Sequence, residues 1–69
     1  MEFKLKYEFV ELDNMLKLTQ LVAGGAEARE YILSGAIRVN GQVENRIRRK
    51  LRAGDLVEFQ GQQVSITAK

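Results

Sequence analysis

The 69-residue chain contains no cysteine and no histidine, and each absence excludes a class of chemistry. Without cysteine the chain forms no disulfide and offers no thiolate to a metal, which fits a reducing compartment. Without histidine it lacks the commonest general base, and neither serine has an evident activating partner. It also has no aspartate-rich loop that would bind a divalent ion. We therefore predict a protein that is not an enzyme, with no metal and no cofactor.

The chain also lacks a long apolar run. No stretch approaches the roughly 20 apolar residues of a membrane span, and residues 1–15 lack the apolar segment of a signal peptide. Hydrophobic residues make up 45% of the chain and charged residues 29%, which is typical of a folded domain and not of a disordered segment. We predict a cytoplasmic, monomeric protein whose residues 1–69 form a single domain.

Acidic residues are scarce in the second half of the chain. Residues 1–36 carry four basic and six acidic side chains, whereas residues 37–69 carry seven basic and three acidic ones. Residues 45–52, which we call the basic run, contain five cations and no acid. The five cations are Arg46, Arg48, Arg49, Lys50 and Arg52. Charge segregated in this way usually marks the face that meets an anionic partner.

The first half of the chain predicts one strand and two helices. Apolar and charged residues alternate over residues 3–9, which predicts a half-buried strand with its apolar side inward. Residues 12–16 have helical spacing and predict a helix of about two turns. Leu21 and Val22 are expected to reach the core from the following connection. A second helix is expected from about residue 25 to residue 34, before Gly35.

The second half predicts two hairpins. Asn40-Gly41 is a strong hairpin signal, and the strands beside it would contain Ile37, Val39 and Val43. A second hairpin is expected around Gln60-Gly61, after a turn near residue 54. Strand, two helices and four short strands together indicate an α+β domain.

The basic run suits a polyanion. Guanidinium groups make planar, bidentate contacts with phosphate and also stack on bases. Ile47 and Leu51 lie within the run, and we expect them to point inward and hold the cations in a fixed array. The alternative is a solvated loop that is charged only for solubility. We favour nucleic-acid binding because the run is interleaved with these apolar anchors.

Two further features have two interpretations each. Gly24-Gly25 precedes the second helix and would let a phosphate approach the free N–H groups of its first turn, or it is simply a flexible connection. Arg29 lies one turn into the same helix, where it would either reach the same anion or pair with an acid on the surface.

Several motifs follow one another along the chain. They are Leu12-Asp13, Gly24-Gly25-Ala26-Glu27-Ala28-Arg29, Ile32-Leu33-Ser34-Gly35, Val39-Asn40-Gly41 and Ala53-Gly54-Asp55-Leu56-Val57-Glu58-Phe59. Together they resemble the RNA-binding domain first named for small-subunit ribosomal protein S-four. The resemblance implies an αL RNA-binding motif over about residues 11–60. It also implies two short helices packed on a small, mainly antiparallel sheet with an N-terminal strand.

One departure from the family pattern concerns the start of the second helix. Gly24-Gly25 replaces the usual Ser-Arg pair and removes an arginine often used on RNA. Three features of the chain resemble those of stand-alone bacterial S-four-like proteins. They are the glycine pair Gly24-Gly25, the predicted N-terminal strand and the segment from Glu44 to Lys50. Carried over by position, the resemblance implies an RNA face formed by Arg29, Arg38, Asn40, Arg46, Arg49 and Lys50.

These interpretations give one functional hypothesis and two alternatives. We predict a protein that binds structured RNA, ribosomal or transfer RNA, with no membrane and no small-molecule cofactor. An alternative is a protein-interaction module for an acidic ribosome-associated partner or assembly factor. Double-stranded DNA ranks last because no long basic recognition helix is present. Asn40 is expected to serve its turn more than the ligand. The predicted RNA-binding set is Gly24, Gly25, Arg29, Arg38, Asn40, Arg46, Arg48, Arg49, Lys50 and Arg52.

Overall fold

Two strands, two helices and five further strands follow one another along the chain in a computed structural model that describes residues 1–69. This α+β class agrees with the prediction. The strands are β1 (Glu2–Lys4), β2 (Val10–Glu11), β3 (Ile37–Val39), β4 (Gln42–Val43), β5 (Lys50–Leu51), β6 (Leu56–Phe59) and β7 (Gln62–Thr67). The helices are α1 (Leu12–Leu18) and α2 (Gly25–Leu33).

The main sheet contains five strands in the order β1-β7-β6-β3-β4. All neighbours run antiparallel except β1, which pairs in parallel with β7. The two predicted hairpins, β3–β4 and β6–β7, therefore lie side by side, and the N-terminal strand forms one edge. β2 and β5 make a separate antiparallel pair. The sequence did not predict this pair, because two-residue strands are too short to show a period.

The first strand is shorter than the predicted span of residues 3–9. The N–H of Leu5, just after β1, donates to the Thr67 carbonyl at 2.9 Å. β7 ends at Thr67, so residues 6–9 leave the sheet. Tyr7, which the alternation placed inside, is 77% exposed. The expectation of an inward Tyr7 is wrong, because an alternating segment becomes a strand only where a partner strand lies beside it.

Both helices lie where the sequence predicts them and place their apolar faces on the core. Leu12, Met15 and Leu16 of α1 are fully buried. Ala28 and Ile32 of α2 are buried as completely. These spacings of three and four residues put each set on one helix face, and that burial holds two short helices that would not be stable alone.

Two features fix the C-terminal end of α2. Near its C-terminus the Tyr31 ring packs edge-to-face on Phe59 of β6, with centroids 4.8 Å apart. Gly35 follows the helix with φ of +82°, a left-handed conformation that favours glycine, so the predicted stop is confirmed. The direction of the chain into β3 is set at this glycine.

The first hairpin has the turn that its sequence predicts. Asn40 and Gly41 have φ of +54° and +84°, the left-handed pair required by a tight hairpin turn. The Asn40 side chain also bridges to the next turn: its Nδ2 donates to Asp55 Oδ1, and the Leu56 N–H donates to its Oδ1, both at 2.9 Å. The asparagine therefore joins the hairpin to the segment before β6.

Fifteen buried hydrophobic residues form one core between the helices and the sheet. Val22 is buried and Leu21 packs against the core from the connection between the helices, as predicted. The two expected anchors of the basic run also point inward: Leu51 is fully buried and Ile47 packs against the core. Glu44 is the one charged residue among the buried ones. Neither helix has the length and apolar character needed to cross a membrane.

Candidate nucleic-acid interface

The backbone of the basic run is held by hydrogen bonds from the start of α1. The Leu12 N–H donates to the Arg49 carbonyl at 2.8 Å, and the Asp13 N–H donates to the Ile47 carbonyl at 3.1 Å. Both donors belong to the first turn of the helix, where N–H groups have no partner within the helix itself. The carbonyl groups of the run therefore accept hydrogen bonds from otherwise unpaired N–H groups of α1. The same bonds hold the backbone of the run in place.

The end of the run is fixed by strand pairing and burial. β5 pairs with β2, which places Leu51 opposite Val10. Both side chains belong to the core cluster. A tight turn then follows, in which the Arg52 N–H donates to Asp55 Oδ2 at 2.8 Å. The backbone that carries the cations is thus anchored in its middle and at its end.

The five cations of the basic run line one open depression of about 580 Å³. No other residue lines it, and none of the five is hydrophobic. We call this depression the basic hollow. Its concave shape holds several positive charges against one approaching ligand, which strengthens the field felt by an anion there. The cations of the run therefore share one surface.

The buried side chain of Glu44 binds two of these cations. The residue is only 6% exposed, and its N–H donates to the Ile37 carbonyl of β3 at 2.9 Å. Arg46 donates to the Glu44 carboxylate through Nε and Nη2, both at 2.9 Å, and through its backbone N–H at 3.0 Å. Arg49 Nη1 donates to the same carboxylate at 2.6 Å. One buried carboxylate thus orients two guanidinium groups.

The protonation state of Glu44 follows from these contacts. Side-chain hydrogen bonds from Arg46 lower its pKa from an ordinary 4.5 to about 2, against the opposing effect of burial. Hydrogen bonds from the Arg49 side chain and the Arg46 backbone act in the same direction. The carboxylate is therefore charged at neutral pH, and the run keeps an excess of positive charge over this single acid.

The other three cations make no ion pair. The salt bridges of the protein are the two from Arg46 and Arg49 to Glu44. Lys50 Nζ lies 5.0 Å and Arg52 Cζ 5.7 Å from the centre of the Phe9 ring. Such cation–π contacts place a charge without neutralising it. Arg48, Lys50 and Arg52 are exposed and remain available to an anion.

Sequence reasoning missed the contribution of Glu44 and Phe9. Glu44 was noted only as part of a family-like segment, although it is the sole acid between Glu30 and Asp55 and directly precedes the basic run. That isolation was a usable signal. Phe9 was predicted to face the interior, but it is 36% exposed and supports two cations. No local signal predicts this, because β5 reaches Phe9 only through the tertiary fold.

The predicted glycine pair lies at the start of α2, where few neighbouring atoms surround its Cα positions. Gly24 has extended backbone, and a Cβ at this position would contact nothing within 4 Å. A Cβ on Gly25 would lie 3.9 Å from Lys17 Nζ. The helix start has no side-chain cap. Lys17, absent from the predicted set, therefore lies beside an open helix terminus.

The remaining predicted residues lie outside the basic hollow. Arg38 projects from β3, opposite Glu58 of β6, and lines a separate depression of about 260 Å³. Arg29 is exposed on α2 and lines neither depression. The Asn40 side chain is engaged at both its amide nitrogen and its oxygen. The fold thus brings five members of the predicted set together and disperses the other five.

Two helices, an adjoining hairpin and an anchored basic loop define a small α+β domain of the αL-motif class. The S4 domain family model matches residues 3–67. The chain therefore belongs to the S4 domain family, in agreement with the resemblance seen in its motifs.

Two bacterial relatives resemble the chain over most of its length. YbcJ of Escherichia coli (strain K12) is 41% identical over 63 residues, which cover 91% of this chain and 90% of YbcJ, and its name links it with RNA binding. RlbA of Bacillus subtilis (strain 168) is 35% identical over 54 residues, covering 78% of this chain and 76% of RlbA. The name of RlbA links it with ribosome maturation.

The fold also matches a solved structure. The solution structure of YbcJ superposes with a TM-score of 0.74 at 41% sequence identity, covering 97% of this chain and 86% of YbcJ. That structure is described as revealing an αL motif involved in RNA binding. The similarity therefore extends from sequence to three-dimensional fold.

Proposed function

We propose that this protein binds RNA through the basic hollow and does so without catalysis. The observation that carries the proposal is that five cations line one depression on an anchored backbone. The names of the relatives, which link YbcJ with RNA binding and RlbA with ribosome maturation, support it. We further propose a structured RNA of the ribosomal or transfer class, met in the cytoplasm and recognised by shape more than by sequence.

The chemistry of the hollow suits phosphate oxygens. Arg46 uses Nε and Nη2 on Glu44, which leaves Nη1 for a ligand. Arg49 uses only Nη1 within the protein, so its other donors stay available. Charge-assisted bonds of this type are stronger than neutral ones. A guanidinium already fixed by Glu44 also loses less side-chain entropy on binding than a free one.

Residues outside the hollow would orient the domain. Arg29 and Arg38 are exposed outside the basic hollow, and we propose that they contact other phosphates of the same RNA. The open start of α2 at Gly24-Gly25, with Lys17 close by, would accept a further phosphate. These contacts position the domain and carry no sequence information.

Binding measured against RNA and DNA duplexes of matched sequence tests the proposal. We expect the protein to prefer RNA and its affinity to fall about 10²- to 10³-fold between 50 and 200 mM salt. Fluorescence anisotropy with labelled duplexes gives both quantities. Lys69→Ala, which removes a cation outside the basic hollow, is the matched control and should behave as wild type.

Three results would contradict the proposal. Equal affinity for RNA and DNA would indicate a general duplex binder. Binding without salt dependence would exclude phosphates as the main contact. Failure to bind any RNA, together with capture of an acidic ribosome-associated protein, would favour a protein-interaction module instead.

A further inference from the structure

A third depression, of about 710 Å³ and mostly apolar, lies where the chain leaves β1 and enters α1. Six of its ten lining residues are hydrophobic, and we call it the aromatic hollow. Tyr7 and Phe9 are its exposed rings, with Leu18 beside them. Tyr7 is 77% and Leu18 60% exposed, and because they line one depression with Phe9 they form a shared apolar patch and are not isolated exposed residues. The hollow lies within the roughly 300–1,000 Å³ range of small-ligand sites.

Phe9 joins the aromatic hollow to the basic hollow. Its ring lines the aromatic hollow and also lies beneath Lys50 and Arg52, two residues that line the basic hollow. The aromatic hollow has cations of its own, because Lys4 and Lys6 are among its lining residues. The apolar surface is thus bordered by positive charge, from Lys50 and Arg52 over Phe9 and from Lys4 and Lys6 in its own lining.

Two polar side chains in the lining of the aromatic hollow suit the edge of a base. They are Glu11, which pairs in register with Lys50 in the β2–β5 pair, and Asn14, and neither side chain makes a hydrogen bond within the protein. The Asn14 amide both donates and accepts, whereas the Glu11 carboxylate accepts only. A nucleobase presents both donors and acceptors on its edges, together with two apolar faces.

We propose that the aromatic hollow binds an unpaired base of the RNA whose phosphates occupy the basic hollow, with the base stacked on Tyr7. This inference rests on the proposed function. Aromatic rings beside a positively charged groove are the arrangement by which proteins hold single-stranded nucleic acid. Sequence-specific recognition of RNA also uses bases that are splayed out of a helix. The protein would therefore bind a paired region next to an unpaired nucleotide.

Charge favours this occupant over a second copy of the chain. In a symmetric dimer the same surface of each copy faces itself, so the Lys4 and Lys6 side chains of both copies would meet. The Phe9 end would likewise bring Lys50 and Arg52 together with their counterparts. Glu11 alone would oppose these cations among the lining residues. An RNA chain brings the negative charge that this border lacks.

Two RNAs that differ only in the presence of bases test the inference. Both carry the same duplex and a short single-stranded extension, but in one of them the extension is abasic, so the phosphates are equal in number. We expect wild-type protein to bind the base-bearing RNA about 5- to 150-fold more tightly, the effect of one stacked base. A 2-aminopurine in the extension should report the stacking as fluorescence quenching.

Three variants show which residue causes the difference. Tyr7→Ala should bind both RNAs with the affinity of the abasic one, whereas Tyr7→Phe should retain the preference. Leu33→Ala removes an apolar side chain of α2 that is 60% exposed and lies outside the aromatic hollow, so it should behave as wild type. Because Tyr7 is highly exposed, its replacement should leave the fold intact.

The outcomes separate this inference from the proposed function. Equal binding of both RNAs by the wild type, with normal salt dependence, would overturn the stacked base and leave RNA binding in place. Failure to bind either RNA would overturn both. A dimer in sedimentation that Tyr7→Ala converts to monomer would assign the hollow to a second copy and overturn the inference.

Discussion

The hairpin at residues 37–43 and the basic run at residues 45–52 are neighbours in the chain, yet different forces hold them. The hairpin follows from a local turn, Asn40-Gly41, whose two residues take the left-handed conformations that such a turn needs. The basic run has only the two residues of β5 in regular structure. Its shape comes from α1 and β2, which belong to a distant part of the chain, and from Glu44, the buried residue that directly precedes the run.

The difference explains how several like charges can be held close together. Five neighbouring cations repel one another, and the run has one turn hydrogen bond of its own, from the Arg49 N–H to the Arg46 carbonyl at 3.2 Å. Hydrogen bonds from α1 to the backbone of the run, together with the buried carboxylate of Glu44, offset the repulsion between the cations. They do not remove the positive charge from the surface. A surface for a polyanion can therefore be built from a segment with little structure of its own.

Leu51→Ala should break the anchored region most severely. The side chain is fully buried at the end of the basic run, so its truncation should lower the free energy of unfolding by about 2–5 kcal/mol. Urea denaturation measures this. Val43→Ala in the hairpin, where the side chain is 55% exposed, should change stability by no more than about 0.5 kcal/mol. Similar small losses in both variants would show that Leu51 does not anchor the run.

Glu44→Gln should have the next largest effect. Its carboxylate receives charge-assisted hydrogen bonds from Arg46 and Arg49, and we expect their loss to cost about 1–3 kcal/mol of unfolding free energy. Glu30→Gln, on the exposed surface of α2 and without an ion pair, is the control and should be nearly neutral. If both variants are equally stable, the carboxylate does not hold the run.

The pH dependence of stability offers an independent measure of the same contact. Hydrogen bonds from Arg46 lower the Glu44 pKa in the folded protein to about 2, from an ordinary 4.5. The unfolded chain therefore takes up a proton first as the pH falls, and stability is lost between about pH 4.5 and pH 2. Acid denaturation followed by circular dichroism should show this loss in the wild type. Glu44→Gln should lack the Glu44 component, and an unchanged profile would contradict the assignment.

Asn40 variants test the claim that the hairpin is held by its local turn. Asn40→Ala loses the bonds to Asp55 and Leu56 and places an alanine at φ of +54°, so we expect a cost of about 1–2 kcal/mol. Asn40→Gly loses the same bonds but tolerates the conformation, and it should be less destabilised. Thermal melts of the two variants separate the contributions. A glycine variant as unstable as the alanine one would show that the side-chain bonds alone matter.

Local signals in the sequence predicted most of the fold. The helical spacing in α1 and α2, the stop at Gly35 and the turn at Asn40-Gly41 depend on residues within a few positions of one another. The inward direction of Leu51 followed from its apolar character between cations. The family resemblance placed these elements in one known arrangement.

Features that depend on distant partners were not predictable in the same way. The length of β1 is set by where β7 ends, and the β2–β5 pair joins segments about 40 residues apart. At the candidate site, the composition of the basic run revealed its five cations but not the surface that they share. The place of Phe9 under Lys50 and Arg52 required the fold, whereas Glu44 is close in sequence to Arg46 and Arg49 and its isolation among acids was a usable signal.

The salt dependence of RNA binding by an Arg48→Ala, Lys50→Ala double variant tests the central claim most directly. These two cations line the basic hollow without an ion pair, so their removal leaves Glu44 and its partners in place. If the anchored run contacts phosphates, the slope of log affinity against log salt should fall in magnitude by about 1.4 to 1.8 from the wild-type value. A slope equal to that of the wild type, with the variant folded, would show that the basic hollow is not the surface that meets RNA.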